Sequence, residues 1–109
     1  MDIAKLKSVP RRADTPVLSQ KEIKNYLSQL GQGWQFEKRP NKIVKEFEFR
    51  DFTSAINFVN KVAKVAEIEG HHPNIYIHDY KKVRVELWTH TLGGLHQNDF
   101  ILASKIGLL

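Results

Sequence analysis

Five histidines, no cysteine and a modest set of carboxylates make up the reactive side chains of this 109-residue chain. Without cysteine, thiolate catalysis, disulfides and cysteine-based zinc sites are excluded, so any metal would need histidine and carboxylate ligands. His71 and His72 are adjacent and followed by Pro73, just past a predicted helix end, at a loop position from which side chains reach a cleft. Taken alone, such a pair reads equally as two solvated or hydrogen-bonded imidazoles. Asp99 falls in the first turn of a predicted last helix, where the positive end of the helix dipole favours a carboxylate. A carboxylate so placed can orient a nearby imidazole or serve simply as a helix-start acid. His78 adds one more imidazole downstream, but zinc needs three or four well-placed ligands. No metal site is therefore expected.

The elements that carry these residues are legible in the pattern. Ser19-Gln20-Lys21-Glu22 has the capping-box form, and Ile23, Tyr26, Leu27 and Leu30 follow at i, i+3, i+4 and i+7 until Gly31 and Gly33. Trp34 to Lys38 and Ile43 to Arg50 read as strands joined around Arg39-Pro40-Asn41-Lys42, with Phe47 and Phe49 alternating against Glu46, Glu48 and Arg50. From Phe52 to about Glu69 the apolar residues Phe52, Ala55, Ile56, Val59, Val62, Ala63 and Ala66 share one helical side, widened by Phe58 and Val65 to about half the circumference before Gly70. That width predicts burial against more than one surface. Asn74 to Ile77 and Lys82 to His90 give two more strands, the second with Arg84, Glu86, Trp88 and His90 on its polar face. After Gly93-Gly94, Leu95 to about Ile106 forms the last helix. The order α-β-β-α-β-β-α predicts an α+β domain, a four-stranded antiparallel sheet with three helices on one face.

Length allows one core of modest size and not two. Residues 1 to 17 carry Pro10, Pro16 and scattered charges without a period, so an irregular arm is expected before a domain spanning 18 to 109. No apolar run reaches the roughly 20 residues that span a bilayer, and no apolar core of a secretory signal follows the first basic residues. A cytoplasmic, membrane-free protein is expected. The net charge of +5 invites a nucleic-acid reading, but the basic residues alternate with acids, as in Lys45-Glu46 and Arg84-Val85-Glu86. Such patterning reads as a solvated surface, and no base-reading motif is present.

One longer constellation changes the weight of the histidines. Glu67, His71-His72-Pro73, Tyr80, His90 and Asp99 stand with three, six, nine and eight residues between them. That spacing, with Trp88-Thr89-His90-Thr91-Leu92-Gly93-Gly94-Leu95, Asn98 to Ala103, Gly33-Trp34 and Phe49-Arg50-Asp51-Phe52, resembles the pterin-4a-carbinolamine dehydratase family over residues 18 to 107. Two departures stand out. The stretch from Pro73 to Tyr80 is one residue longer than in animal members and is similar to the plant type, which predicts a bulge in the third strand. His96 occupies a place where many relatives have Thr, a better helix cap.

The resemblance implies a cofactor-free enzyme that removes water from a 4a-hydroxytetrahydropterin to give a quinonoid dihydropterin. The leaving hydroxyl needs a proton and the ring N5–H must lose one, so two groups titrating near neutrality should face the same ring. Histidine, with an ordinary pKa of about 6.5, suits both halves. Carried over by position, His71 and His90 are the acid and base in either order, His72 binds the pterin and supports the charge shift, and Asp99 orients and charge-stabilises an imidazole. Gly70, Trp88, Thr89 and Thr91 are implied pterin contacts, with Glu67 and Tyr80 in supporting roles. A homodimer or homotetramer is expected. The resemblance also implies an alternative, since animal members act as dimerisation cofactors of a transcription factor through helical surfaces. Light scattering with and without a helical partner separates that reading from plain self-association.

Overall fold

Ser19 starts the first helix as expected. In the computed structural model, which describes residues 3–9 and 15–109, its side chain accepts from the Glu22 N–H, and the Glu22 carboxylate accepts from the Ser19 N–H. The helix α1 runs Gln20–Gln29 and buries Ile23. Strands β1 (Gln35–Glu37) and β2 (Lys42–Glu48) follow, then helix α2 (Phe52–Glu69), strands β3 (Asn74–His78) and β4 (Lys82–Leu87), and helix α3 (Gln97–Ile106). All pairings are antiparallel, in the order β1-β2-β4-β3. The α+β architecture inferred from the pattern is the one observed.

Alternation divides the sheet into two faces. Ile43, Val83, Val85 and Leu87 are buried with Phe100, Leu102, Ala103 and Ile106 of α3 and with Ala55, Phe58, Val62 and Ala66 of α2. The opposite face carries Glu46, Arg84 and Tyr76 in register, because paired residues point the same way. There Arg84 bridges Glu37 and Glu86 at 2.9 and 2.8 Å. No helix among the described residues is long and apolar enough to cross a membrane.

Three local expectations are corrected. The buried stripe of α2 is narrower than its apolar half: Phe52 and Ala63 are exposed, and Ile56, Val59 and Val65 only half-buried, since one sheet and α3 cover a single side. β3 has no bulge, because its register with β4 runs unbroken from Asn74↔Glu86 to His78↔Lys82. The chain turns instead at Asp79 and Tyr80, both at positive φ. That turn leaves Tyr80 61% exposed. Lastly, β4 ends at Leu87, and His90 opens a short 3₁₀ turn, His90–Leu92, rather than closing a strand.

Residues 3–9 were expected to be irregular. They include a 3₁₀ turn, Ile3–Lys5, whose Ile3 lies in the core. Residues 1, 2 and 10–14, including Pro10, Arg11 and Arg12, lie outside the described residues.

Candidate active site

Helix α2 ends in a left-handed turn. Gly70 sits at φ +64°, a conformation that costs a side-chain-bearing L residue about 1–2 kcal/mol. The His71 N–H donates back to the Ala66 carbonyl at 3.2 Å and the Gly70 N–H to Glu67 at 3.3 Å, which satisfies carbonyls that a helix end leaves free. The reversal separates the two histidines. His71 is buried, 4% exposed, whereas His72 stays outside, with its Nε2 3.2 Å from the exposed Glu67 carboxylate.

The buried imidazole meets α3. His71 Nε2 is hydrogen-bonded to Asp99 Oδ1, and Asp99, fully buried, also accepts from the Thr89 hydroxyl and the His96 N–H, both at 2.9 Å. Three donors thus converge on one carboxyl group. A carboxylate only accepts, so His71 Nε2 carries the hydrogen and Nδ1 is the nitrogen left for exchange. His96, expected to cap poorly, closes a capping box: its Nδ1 accepts from the Asn98 N–H at 3.0 Å while its own N–H reaches Asp99.

In front of His71 lies a cavity of about 300 Å³ lined by Gly70, His71, His72, Pro73, Asn74, Trp88, His90 and Thr91, a volume at the lower end for small-molecule sites. The 3₁₀ turn after Thr89 puts His90 and Thr91 on its rim, with the Leu92 and Gly93 N–H groups donating to the Thr89 carbonyl. The His90 ring stacks on Trp88 at 4.2 Å between centroids and 10° between planes, and Lys42 Nζ lies 5.6 Å from the Trp88 ring centre. Flat aromatic surface beside imidazoles suits a planar heteroaromatic ligand.

Most of the residues picked out by spacing therefore meet at one place. His71, His72, His90, Gly70, Trp88 and Thr91 line the cavity. Thr89 and Asp99 are fully buried and not among the cavity's lining residues; Asp99 holds His71, and Thr89 in turn donates to Asp99. Glu67 touches His72, and Tyr80 is not among the cavity's residues. Sequence reasoning missed Asn74, whose only local sign was its place at the start of a strand after Pro73. It also missed the support around the pair from Glu69 and Asn98.

Glu69, two residues before His71, accepts from the Ser8 N–H at 2.8 Å and pairs with Lys105 at 2.6 Å. Burial pushes its carboxyl up, but Lys105 and the Ser8 N–H outweigh burial and hold it below its ordinary 4.5. A carboxyl depressed in the folded state stabilises the fold above its unfolded pKa of about 4.5 and loses that contribution as pH falls through the folded value. Thermal melts from about pH 7 to pH 3 should show the gap between wild type and Lys105→Met narrowing below about pH 4.5. A constant gap would contradict the assignment.

Comparison with known proteins agrees with this geometry. The pattern of the family described as pterin 4 alpha carbinolamine dehydratase matches residues 16–109. A Nitrosomonas eutropha protein carrying a pterin-4-alpha-carbinolamine dehydratase name is 42% identical over 108 residues, covering 99% of this chain and 93% of the relative. The mitochondrial pterin-4-alpha-carbinolamine dehydratase 2 of Arabidopsis thaliana is 35% identical, over 99% of this chain and 59% of that protein. The crystal structure of a transcriptional coactivator/pterin dehydratase from Brucella melitensis superposes with a TM-score of 0.77 at 33% identity, over 84% of this chain and 96% of that one. With its sheet, its three helices and nearly all of its described length in common with these proteins, the chain belongs to the pterin 4 alpha carbinolamine dehydratase family of hydro-lyases.

Proposed function

We propose that this protein removes water from a 4a-hydroxytetrahydropterin in tetrahydrobiopterin recycling, with His71 and His90 exchanging the two protons. The C4a–O bond breaks as the hydroxyl takes a proton and leaves as water. N5 gives up its hydrogen, and the N5=C4a double bond forms. Substrate thus becomes quinonoid dihydropterin plus water, with no electron donor or acceptor required. The observation that carries this reading is the convergence of His71, His72, His90 and Trp88 on one cavity, with Asp99 behind His71. His72, held by Glu67 at the rim, binds the pterin, and the backbone at Gly70 and Thr91 meets its polar edge. Trp88 supplies a stacking face.

The test is a dehydration assay on purified full-length protein, with 4a-hydroxytetrahydropterin as substrate and a chelator present. Acceleration well above the uncatalysed reaction is expected, because histidine acid-base catalysis contributes about 10²- to 10⁴-fold without a metal. A rate equal to the uncatalysed one would overturn the proposal.

A further inference from the structure

The N-terminal segment touches the molecule at a revealing set of places. Ile3 is buried in the core beside α3. The Ser8 N–H donates to Glu69, which lies two residues before His71. The Val9 N–H donates to Asn98 Oδ1 at 2.9 Å, and Asn98 Nδ2 donates to the Val9 carbonyl at 2.8 Å. Asn98 adjoins Asp99 and is 1% exposed. Further along, the Leu18 N–H donates to the Leu95 carbonyl at 2.8 Å, beside the His96 cap. Each partner of the His71–Asp99 pair therefore has a neighbour tied to the same short segment, across sequence separations of 61 and 89 residues.

We infer that residues 3–9 form a strap that sets the position of the His71–Asp99 pair, with Asn98, Ser8 and Val9 as positioning residues. This rests on the catalytic reading above. The Asn98 amide is suited to the task because it matches one N–H and one C=O of the strap together, as a neighbouring strand would. With both side-chain groups spent on Val9 and the backbone N–H spent on His96, the first turn of α3 has little freedom to rotate. Asp99 is carried on that turn. On the other side, Glu69 is clamped between Ser8 and Lys105, which holds the end of α2 from which His71 departs. Placement matters because a misfit of about 1 Å at a reacting group, caused far from the chemistry, can cost up to 10²-fold in rate.

The experiment uses full-length variants. Val9→Pro removes the single N–H that Asn98 accepts, whereas Val9→Ala keeps both backbone groups and changes only a side chain that is 45% exposed. Asn98→Leu removes both amide contacts at similar volume. For folded Val9→Pro and Asn98→Leu, kcat for 4a-hydroxytetrahydropterin should fall about tenfold with KM changed less than about twofold, the pattern of lost transition-state alignment. The His71 ring N–H resonance, read without substrate, should move in both variants and stay in place in Val9→Ala. Wild-type kcat and an unmoved resonance in both folded variants would overturn the strap. So would equal losses in Val9→Ala and Val9→Pro, which would assign the effect to side-chain packing. If Asn98→Leu does not fold, Val9→Pro carries the test alone. A wild-type protein inactive on the pterin would sink the catalytic reading instead, while the resonance would still report on the strap.

Discussion

Replacing His71 by Ala, or His90 by Ala, is expected to lower kcat for 4a-hydroxytetrahydropterin dehydration by about 10²- to 10⁴-fold, the range that general acid-base catalysis contributes. The argument starts from the two nitrogens of His71. One is occupied by Asp99, which leaves the other for the pterin, in a cavity that His90 shares. In the proposed reaction each ring handles one proton, so losing either should slow the same step rather than weaken binding. KM should accordingly change much less than kcat. His72→Ala should behave differently, since His72 is largely exposed and meets the Glu67 carboxylate at the rim. There the loss should fall mainly on KM. Stopped-flow rates on variants confirmed as folded by circular dichroism decide the matter, and unchanged rates in both His71→Ala and His90→Ala would sink the acid-base assignment.

The second large effect concerns Asp99, and here an isosteric change is more informative than truncation. Asp99 Oδ2 accepts two hydrogens, from Thr89 and His96, while Oδ1 meets only His71. In Asp99→Asn the amide oxygen should keep the two-donor side, because the His96 N–H cannot turn away. The amide NH₂ then faces His71 Nε2, which must give up its hydrogen and become an acceptor. The imidazole is left in the other tautomer, with Nδ1 protonated towards the cavity. A comparable carboxylate-to-amide change in a serine protease costs about 10⁴-fold through the wrong tautomer, and a loss of about 10²- to 10⁴-fold is expected here. Ring nitrogen chemical shifts of His71 should show the exchange of protonated nitrogen. Retention of both the tautomer and the rate would refute the assignment. Asp99→Ala should instead unfold the protein more readily, because three buried donors lose their acceptor at a cost of about 1–3 kcal/mol each. Chemical denaturation measures that cost.

Asp99 is fully buried and not among the residues that line the cavity. Asp99 combines two duties, completing the capping box of α3 and holding His71. Helix start and catalytic orientation are one hydrogen-bonded unit, so the rigidity of the helix is passed to the imidazole. Designed sites require the same support for their reacting groups. The strap inferred for residues 3–9 extends that unit by one more layer, through Asn98.

What could be read from the residues alone was local or periodic. Ser19 and Glu22 announce α1 because a cap depends on four neighbouring residues. Gly70 closes α2 because a residue without a side chain adopts the left-handed turn at the least cost. Val83, Val85 and Leu87 show their shared face through a period of two. The meeting of His71, His90 and Asp99 was legible as well, though only through their resemblance to a family pattern and not through any rule of spacing.

Other features were decided by the tertiary structure. Nothing local distinguishes His71 from His72, yet one is buried and the other exposed, because α3 covers only one side of the turn after Gly70. Thr89 belongs to the segment implied to contact pterin but is fully buried and not among the cavity's lining residues, since β4 ends at Leu87 and the 3₁₀ turn carries His90 outward. Tyr80 matches the spacing and still points to solvent from a tight turn. The strap from Ser8 and Val9 joins residues 61 and 89 positions apart. Caps, turns and periodicity depend on a few adjacent residues, and so this sequence determines its helices and strands by itself. Which side chain of a pair is covered, and which distant amide holds it, depends on how whole elements pack, and only the folded chain decides that.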